Sequence, residues 1–172
     1  KFTHREPRTF SMEPGAGPRH LTFHPKNPWI YVVNELSSSV SLLRKDAETG
    51  AYKIAQTIST LPRGFDLDNT CADIHISPDG KFLYASNRGH NSIVVYAIDP
   101  ASGELKLLAH EPTRGQTPRN FSLSPDGKFL LVANQSSNTL VSFRRNESTG
   151  SLSYADRIDA PAPVCILFEQ PK

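Results

Sequence analysis

The sequence predicts an all-β fold, a β-propeller of about three and a half four-stranded antiparallel blades. Three observations predict it. The segments "PRHLTFHPKNPWIYVVNE" (18–35), "CADIHISPDGKFLYASNR" (71–88) and "PRNFSLSPDGKFLLVANQ" (118–135) superpose. Their landmarks hold one register: Pro25, Pro78 and Pro125 are spaced by 53 and 47 residues, as are Asn34, Asn87 and Asn134, and Gly50, Gly103 and Gly150. Inside each repeat the apolar residues follow strand periods, and Pro and Gly fall where turns are needed.

The first strand of a repeat alternates, as in Asp73-Ile74-His75-Ile76. "SPDGK" is a hairpin turn in which proline presets φ and glycine takes the left-handed position. The second strand, "FLYASN" or "FLLVAN", is almost continuously apolar and is expected to be buried on both faces. A third strand follows ("SVSLLRK", "SIVVYAI", "TLVSFRR"), then an Asp/Asn-to-Gly turn, then a fourth ("AYKIAQTIS", "ELKLLAHEP", "SLSYADRID"). Four strands every ~47 residues make a propeller blade rather than a sandwich of hairpin pairs, and no "GH…WD" signature assigns them to the WD40 type.

Blades are expected at 18–62, at 63–115 with a lengthened loop leading in, and at 116–160. Residues 1–17 are expected to be the edge of a preceding blade, with 1–13 as its outer strand. Residues 161–172, which include "APVCILFEQP", are expected to be the inner strand of a closing blade. Three blades alone would expose apolar faces. The chain is therefore expected to be the C-terminal part of a longer protein, or to have its missing blades supplied by a second copy.

At 172 residues and 37% hydrophobic content the chain can bury a core. No apolar run reaches about 18 residues, so no membrane span is expected. "KFTHREPRTF" at the amino terminus has no signal-peptide core. A net charge of +2 without blocks of like charge gives no basis for nucleic-acid binding. Cys71 and Cys165 match no metal spacing and are expected to be free thiols in a reducing, cytoplasmic compartment.

In a blade, the start of the first strand and the end of the second lie on the same face of the disc. Arg19 and His20 therefore meet Glu35 at one rim of the central channel. The equivalent positions are Ala72, Asp73 and Arg88 in the next blade, and Arg119, Asn120 and Gln135 in the third. Strand parity adds His75 on the side of Asp73, with Ile74 and Ile76 packing the other way. Asn34, Asn87 and Asn134 stand behind the mouth, either as ligands or as turn residues bonding their own backbone. Asp73 and His75 are either site residues or a satisfied network tying inner strands together. The lengthened loop "LPRGFDLDNT" is expected to approach the mouth, with Arg63 adding charge. Arg63 and Arg114 also read as solvated loop residues, and Lys81 and Lys128 lie in hairpin turns on the opposite face.

"GAGPRHLTFHP", "VVNELSSSV", "ADIHISPDGKFLYASNR", "TPRNFSLSPDGKFLLVAN" and "PAPVCILF" together resemble the seven-bladed propeller lactonases. That family includes bacterial propeller-type 6-phosphogluconolactonases and fungal carboxy-muconate cyclases. The resemblance covers residues 10 to 172 and implies a chain about half the family's length. It implies that Arg19, Glu35 and Arg88 match the family's active-site arginines and acid. A further family histidine would lie one blade earlier, outside this chain.

The residues read as catalytic are therefore Glu35, His20, Arg19 and Arg88, with Arg119, Asp73, His75 and Asn34 as substrate contacts. Arginines around one mouth can grip a phosphate or carboxylate through forked hydrogen bonds. They can also stabilise the oxyanion formed when water attacks a lactone carbonyl. Glu35, set between arginines, is expected to orient them and the water or to act as a modest base, with His20 or His75 moving protons. The expected activity is hydrolysis of an anionic sugar lactone such as 6-phosphogluconolactone, without cofactor or metal. Carboxy-muconate-type cycloisomerisation would use the same residues, and a non-catalytic binding propeller is the reading from another class. A cation ringed by His20, Asp73, His75 and Glu35 is opposed by the arginines and by the low acid count.

Overall fold

In the computed structural model, which describes residues 9–169, twelve strands form three four-stranded antiparallel sheets. The first holds β1 (Pro18–Phe23), β2 (Trp29–Asn34), β3 (Ser39–Lys45) and β4 (Tyr52–Ser59) in chain order. The second holds β5 (Thr70–Ile76), β6 (Phe82–Arg88), β7 (Ser92–Ile98) and β8 (Leu105–Pro112). The third holds β9 (Pro118–Leu123), β10 (Phe129–Asn134), β11 (Thr139–Arg145) and β12 (Leu152–Asp159). The inner strands β1, β5 and β9 stand side by side, as consecutive propeller blades require. Among the described residues no helix is long and apolar enough to cross a membrane.

The continuous apolar runs of the second strands follow from packing on both faces. Leu83 and Ala85 of β6 join Tyr31, Val33, Val40 and Leu42 of the first sheet in one core. Phe82 and Tyr84, pointing the other way, join Phe121, Leu130, Val132, Val141 and Phe143 of the third sheet in another. A middle blade has no solvent face for its inner strands, so alternation is replaced by apolar residues throughout. The blades are also latched by phenols. Tyr31 Oη donates to the Gly103 carbonyl at 2.7 Å, and Tyr84 Oη to that of Gly150 at 2.9 Å. Burial pushes the Tyr84 phenol up to about 12, and that of Tyr31 upward as well.

Each inner strand carries a register shift at its start. One residue, Arg19, is extra between Pro18 and His20 opposite β2, and Arg119 is extra at the same point of β9. The shift in β5 falls between Cys71 and Ile74. Such bulges re-aim side chains, and all three fall near the start of the inner strand, at the same end of the blades.

The turns behave as their residues require, with one substitution of chemistry. Gly80 (φ 78°) and Gly127 (φ 70°) close the "SPDG" hairpins. His24 stands where the other repeats have Ser77 and Ser124. Its Nδ1 accepts the N–H groups of Lys26 and Asn27 at 3.2 and 3.0 Å, so its Nε2–H donates to the Gly80 carbonyl at 3.1 Å.

Three expectations need qualification. Residues 161–169 form no strand, because the described chain offers no second strand for an inner strand to pair with. Residues 9–17 form none either, and the rest of the expected outer strand, like residues 170–172, lies outside the described residues. The loop 61–69 packs on the β6–β7 turn: Phe65 stands edge-on to His90 at 4.9 Å, and Asn69 Oδ1 accepts the His90 N–H at 3.1 Å. It is anchored there because Gly89, without a Cβ, lets the Asp68 and Asn69 backbone lie against it.

Candidate active site at the rim of the inner strands

The rim joins two blades through a carboxylate held between two guanidinium groups. Arg88, at the end of β6, donates from Nη2 to Glu35 Oε1 and to the Cys71 carbonyl, the latter at 3.0 Å. Arg19 Nε stands 3.6 Å from the other oxygen, Glu35 Oε2, and its Nη1 donates to the Ala72 carbonyl at 2.6 Å. Glu35 itself is fixed by its backbone: its N–H donates to the Gly17 carbonyl, and its carbonyl accepts the Cys71 N–H. The Arg88 side chain is 13% exposed, against 19% for Arg19 and 31% for Glu35. All three groups thus sit at a half-dry surface where a ligand can reach them.

Beside this cluster lies a second one, centred on Asp73, which is 5% exposed. Its Oδ1 accepts His20 Nδ1–H at 2.8 Å and the Ile74 N–H at 3.0 Å. Its Oδ2 accepts from His75 Nε2 at 3.2 Å, Asn120 Nδ2 at 2.5 Å and the Phe121 N–H at 3.3 Å. His20, Asp73 and Asn120 occupy the same register position in three successive blades, so one carboxylate ties three inner strands. Burial alone would raise the Asp73 carboxyl. The hydrogen bond and positive charge of His75, the His20 bond and the Phe121 N–H outweigh it and hold the group at about 2.

That depression has a consequence for acid stability. An unfolded aspartate titrates near ~3.9, above the folded group. The stabilisation, about 2 kcal/mol, is therefore fully present above about pH 4 and is lost as pH falls toward about 2. In acid unfolding followed by circular dichroism, the wild type's advantage over Asp73→Asn should shrink across that window. A gap that stays constant through it would contradict the account.

The predicted site residues divide into groups. Arg19, His20, Glu35, Arg88, Asp73 and His75 come together. Arg119 is at the matching bulge but makes no ion pair or hydrogen bond with the cluster among the described residues. Asn34 is turned into its own blade, 1% exposed, with Nδ2 donating to Ser39 Oγ and Ser41 Oγ at 2.9 and 3.0 Å. The equivalent Asn87 and Asn134 are buried too, but they reach back instead, donating to the carbonyls of Thr60 and Thr113 at the end of the preceding blade. Asn120 is a member that its own residue type did not announce; its register with His20 and Asp73 is the signal that finds it.

Among the described residues no group of three or more His, Cys, Asp or Glu side chains is placed to hold a metal ion. Both cysteines are free, Cys71 buried and Cys165 exposed, and burial raises the Cys71 thiol to about 11. Cavities of about 490 Å³ around His24, Lys81 and Phe82 and of about 340 Å³ around Asn34, Ser41 and Thr57 are not lined by Arg19, Glu35 or Arg88. The rim is an open arc shared by neighbouring blades.

Comparison with known proteins agrees with this fold. The family described as "Lactonase, 7-bladed beta-propeller" matches residues 1–168. A 6-phosphogluconolactonase of Bacillus subtilis is 38% identical over 164 residues, which are 95% of this chain and 47% of that protein. Among solved structures, a protein from Lactobacillus plantarum superposes with a TM-score of 0.86 at 38% identity, over 91% of this chain and 46% of its own. The periplasmic gluconolactonase of Pseudomonas aeruginosa does so with a TM-score of 0.84 at 36% identity, over 90% and 43%. The matched stretch spans 47% of the Bacillus subtilis protein and 31–36% of other curated relatives. It belongs to the seven-bladed β-propeller lactonase family.

Proposed function

We propose that the protein hydrolyses a sugar lactone carrying a negative charge, of the 6-phosphogluconolactone type. The observation that carries this reading is the Arg19–Glu35–Arg88 arrangement at the rim, with the His20 imidazole beside it. A relative named 6-phosphogluconolactonase and a structural neighbour named gluconolactonase support it.

In this reading the guanidinium groups draw the substrate anion to the rim and face the lactone carbonyl. Water attacks that carbonyl carbon, forming a new C–O bond, and the arginines stabilise the oxyanion as it develops. His20 Nε2 takes the proton of the attacking water. The tetrahedral intermediate then expels the ring oxygen, breaking the lactone C–O bond, and the proton passes from His20 to that oxygen. Glu35 holds the two arginines in place. Asp73, with both oxygens occupied by protein donors, is assigned to support rather than to substrate contact, and Asn34 to the blade interior.

The test is an assay of the purified protein on 6-phosphogluconolactone and on unphosphorylated gluconolactone, corrected for spontaneous opening. Hydrolysis of either, faster for the phosphorylated lactone, is expected. No acceleration of either lactone, together with conversion of a carboxy-muconate, would replace this reading by the cycloisomerase one.

A further inference from the structure

We infer that Asp73 is a positioning residue for the reaction: it locks His20 in the tautomer that leaves Nε2 as a proton acceptor at the rim. The tautomer itself follows from geometry, and its use as a base rests on the lactonase reading above.

Two contacts fix the proton independently. A carboxylate has no proton to give, so the 2.8 Å contact between His20 Nδ1 and Asp73 Oδ1 requires the hydrogen on Nδ1. A guanidinium is never an acceptor, so the 3.3 Å contact between Arg19 Nη1 and His20 Nε2 requires a lone pair on Nε2. Both ends of the ring state the same tautomer. The ring is 47% exposed, so Nε2 is reachable from solvent while Nδ1 is tied to a buried group. A substrate anion that draws the Arg19 guanidinium toward itself frees the Nε2 lone pair for water.

The surroundings of Asp73 show why its charge, and not only its shape, is required. Oδ2 receives two donors that cannot turn round. One is the Phe121 N–H, a backbone group. The other is Asn120 Nδ2, whose amide is oriented because Asn120 Oδ1 accepts the Ile166 N–H at 2.7 Å. Oδ1 receives one fixed donor, the Ile74 N–H, besides His20. An asparagine at this position would place its single oxygen where the two fixed donors converge and turn its amino group toward His20. The imidazole would then have to accept at Nδ1 and carry its hydrogen on Nε2, where it cannot take a proton from water. His75, which donates to Oδ2 from Nε2, would keep its partner.

The experiment is long-range proton–nitrogen correlation on protein labelled with ¹⁵N-histidine, paired with lactone kinetics. In the wild type, neutral His20 should show hydrogen on Nδ1 and none on Nε2. In Asp73→Asn the pattern should invert while His75 keeps its own. The inversion should accompany a fall in kcat of about 100-fold or more with KM little changed, the scale of lost general-base assistance. A role in holding the strands together would lower stability without inverting the ring. Hydrogen on Nε2 of His20 in the wild type, or an unchanged tautomer in Asp73→Asn, overturns the inference. The wild-type spectrum decides even where the variant fails to fold. The expected spectra without lactone turnover by the wild type would instead remove the lactonase reading and leave the tautomer assignment standing.

Discussion

Glu35→Ala should lower kcat/KM for a charged sugar lactone by about 10³-fold, the upper range for losing an element of oxyanion stabilisation. The size follows from what Glu35 holds. Its two carboxylate oxygens face Arg88 Nη2 and Arg19 Nε, so one side chain sets two guanidinium groups from adjacent blades. Without it Arg88 keeps the Cys71 carbonyl and Arg19 keeps the Ala72 carbonyl, but neither has a reason to face the rim. A small displacement of transition-state donors is enough for a loss of this order. Stability should fall by only about 1–2 kcal/mol, because the carboxylate is 31% exposed and solvent takes up part of the lost pairing. Glu35→Gln keeps the side chain's length but removes its charge, and should retain part of the activity. Steady-state kinetics on all three proteins, with thermal unfolding alongside, check the expectation. Activity within a factor of ten of wild type in Glu35→Ala would remove the clamp from the mechanism.

The sequence disclosed the fold more fully than the roles at the rim. Proline, asparagine and glycine landmarks at two constant offsets report chain geometry directly, because they recur at the same turns and strand ends of each blade; the glycines take the left-handed backbone there. The same register brought Arg19, Glu35 and Arg88 to one rim before any contact was visible. What each polar group bonds was not legible in that way. Asp73 reads equally as a substrate contact or as a tie between inner strands, because strand parity gives the side a residue faces but not how many donors converge on it. Asn34 is equally informative: the position is shared with Asn87 and Asn134, and all three make buried bonds inside the fold. The loop 61–69 reads as approaching the mouth because its extra residues enter from that face, but its anchoring at Gly89 and His90 depends on packing that no periodicity encodes.

The repeated glycines make a sharper test of the architecture, since Gly50, Gly103 and Gly150 share a turn, a register and φ values of 70°, 77° and 74°. An alanine at any of them carries the left-handed backbone cost, about 1–2 kcal/mol. Only two of the three also meet an aromatic ring of the preceding blade. A Cβ on Gly103 would lie 2.6 Å from Trp29, and one on Gly150 would fall inside the contact distance of the Phe82 ring. At Gly50 the nearest atom is Lys45 Cε at 3.7 Å, an ordinary contact. Overpacking adds about 1–3 kcal/mol, so Gly150→Ala should destabilise by about 3–4 kcal/mol and lower Tm by about 10 °C. Gly50→Ala should show the backbone cost alone. The difference belongs to the blade interface and should be coupled to Phe82: in a double-mutant cycle, Phe82→Ala should recover part of the loss caused by Gly150→Ala. Equal losses at Gly50 and Gly150, or strict additivity with Phe82→Ala, would mean that the turn does not wedge the aromatic ring of its neighbour. The stacking of successive blades would then have to rest on the apolar cores and the tyrosine latches without it.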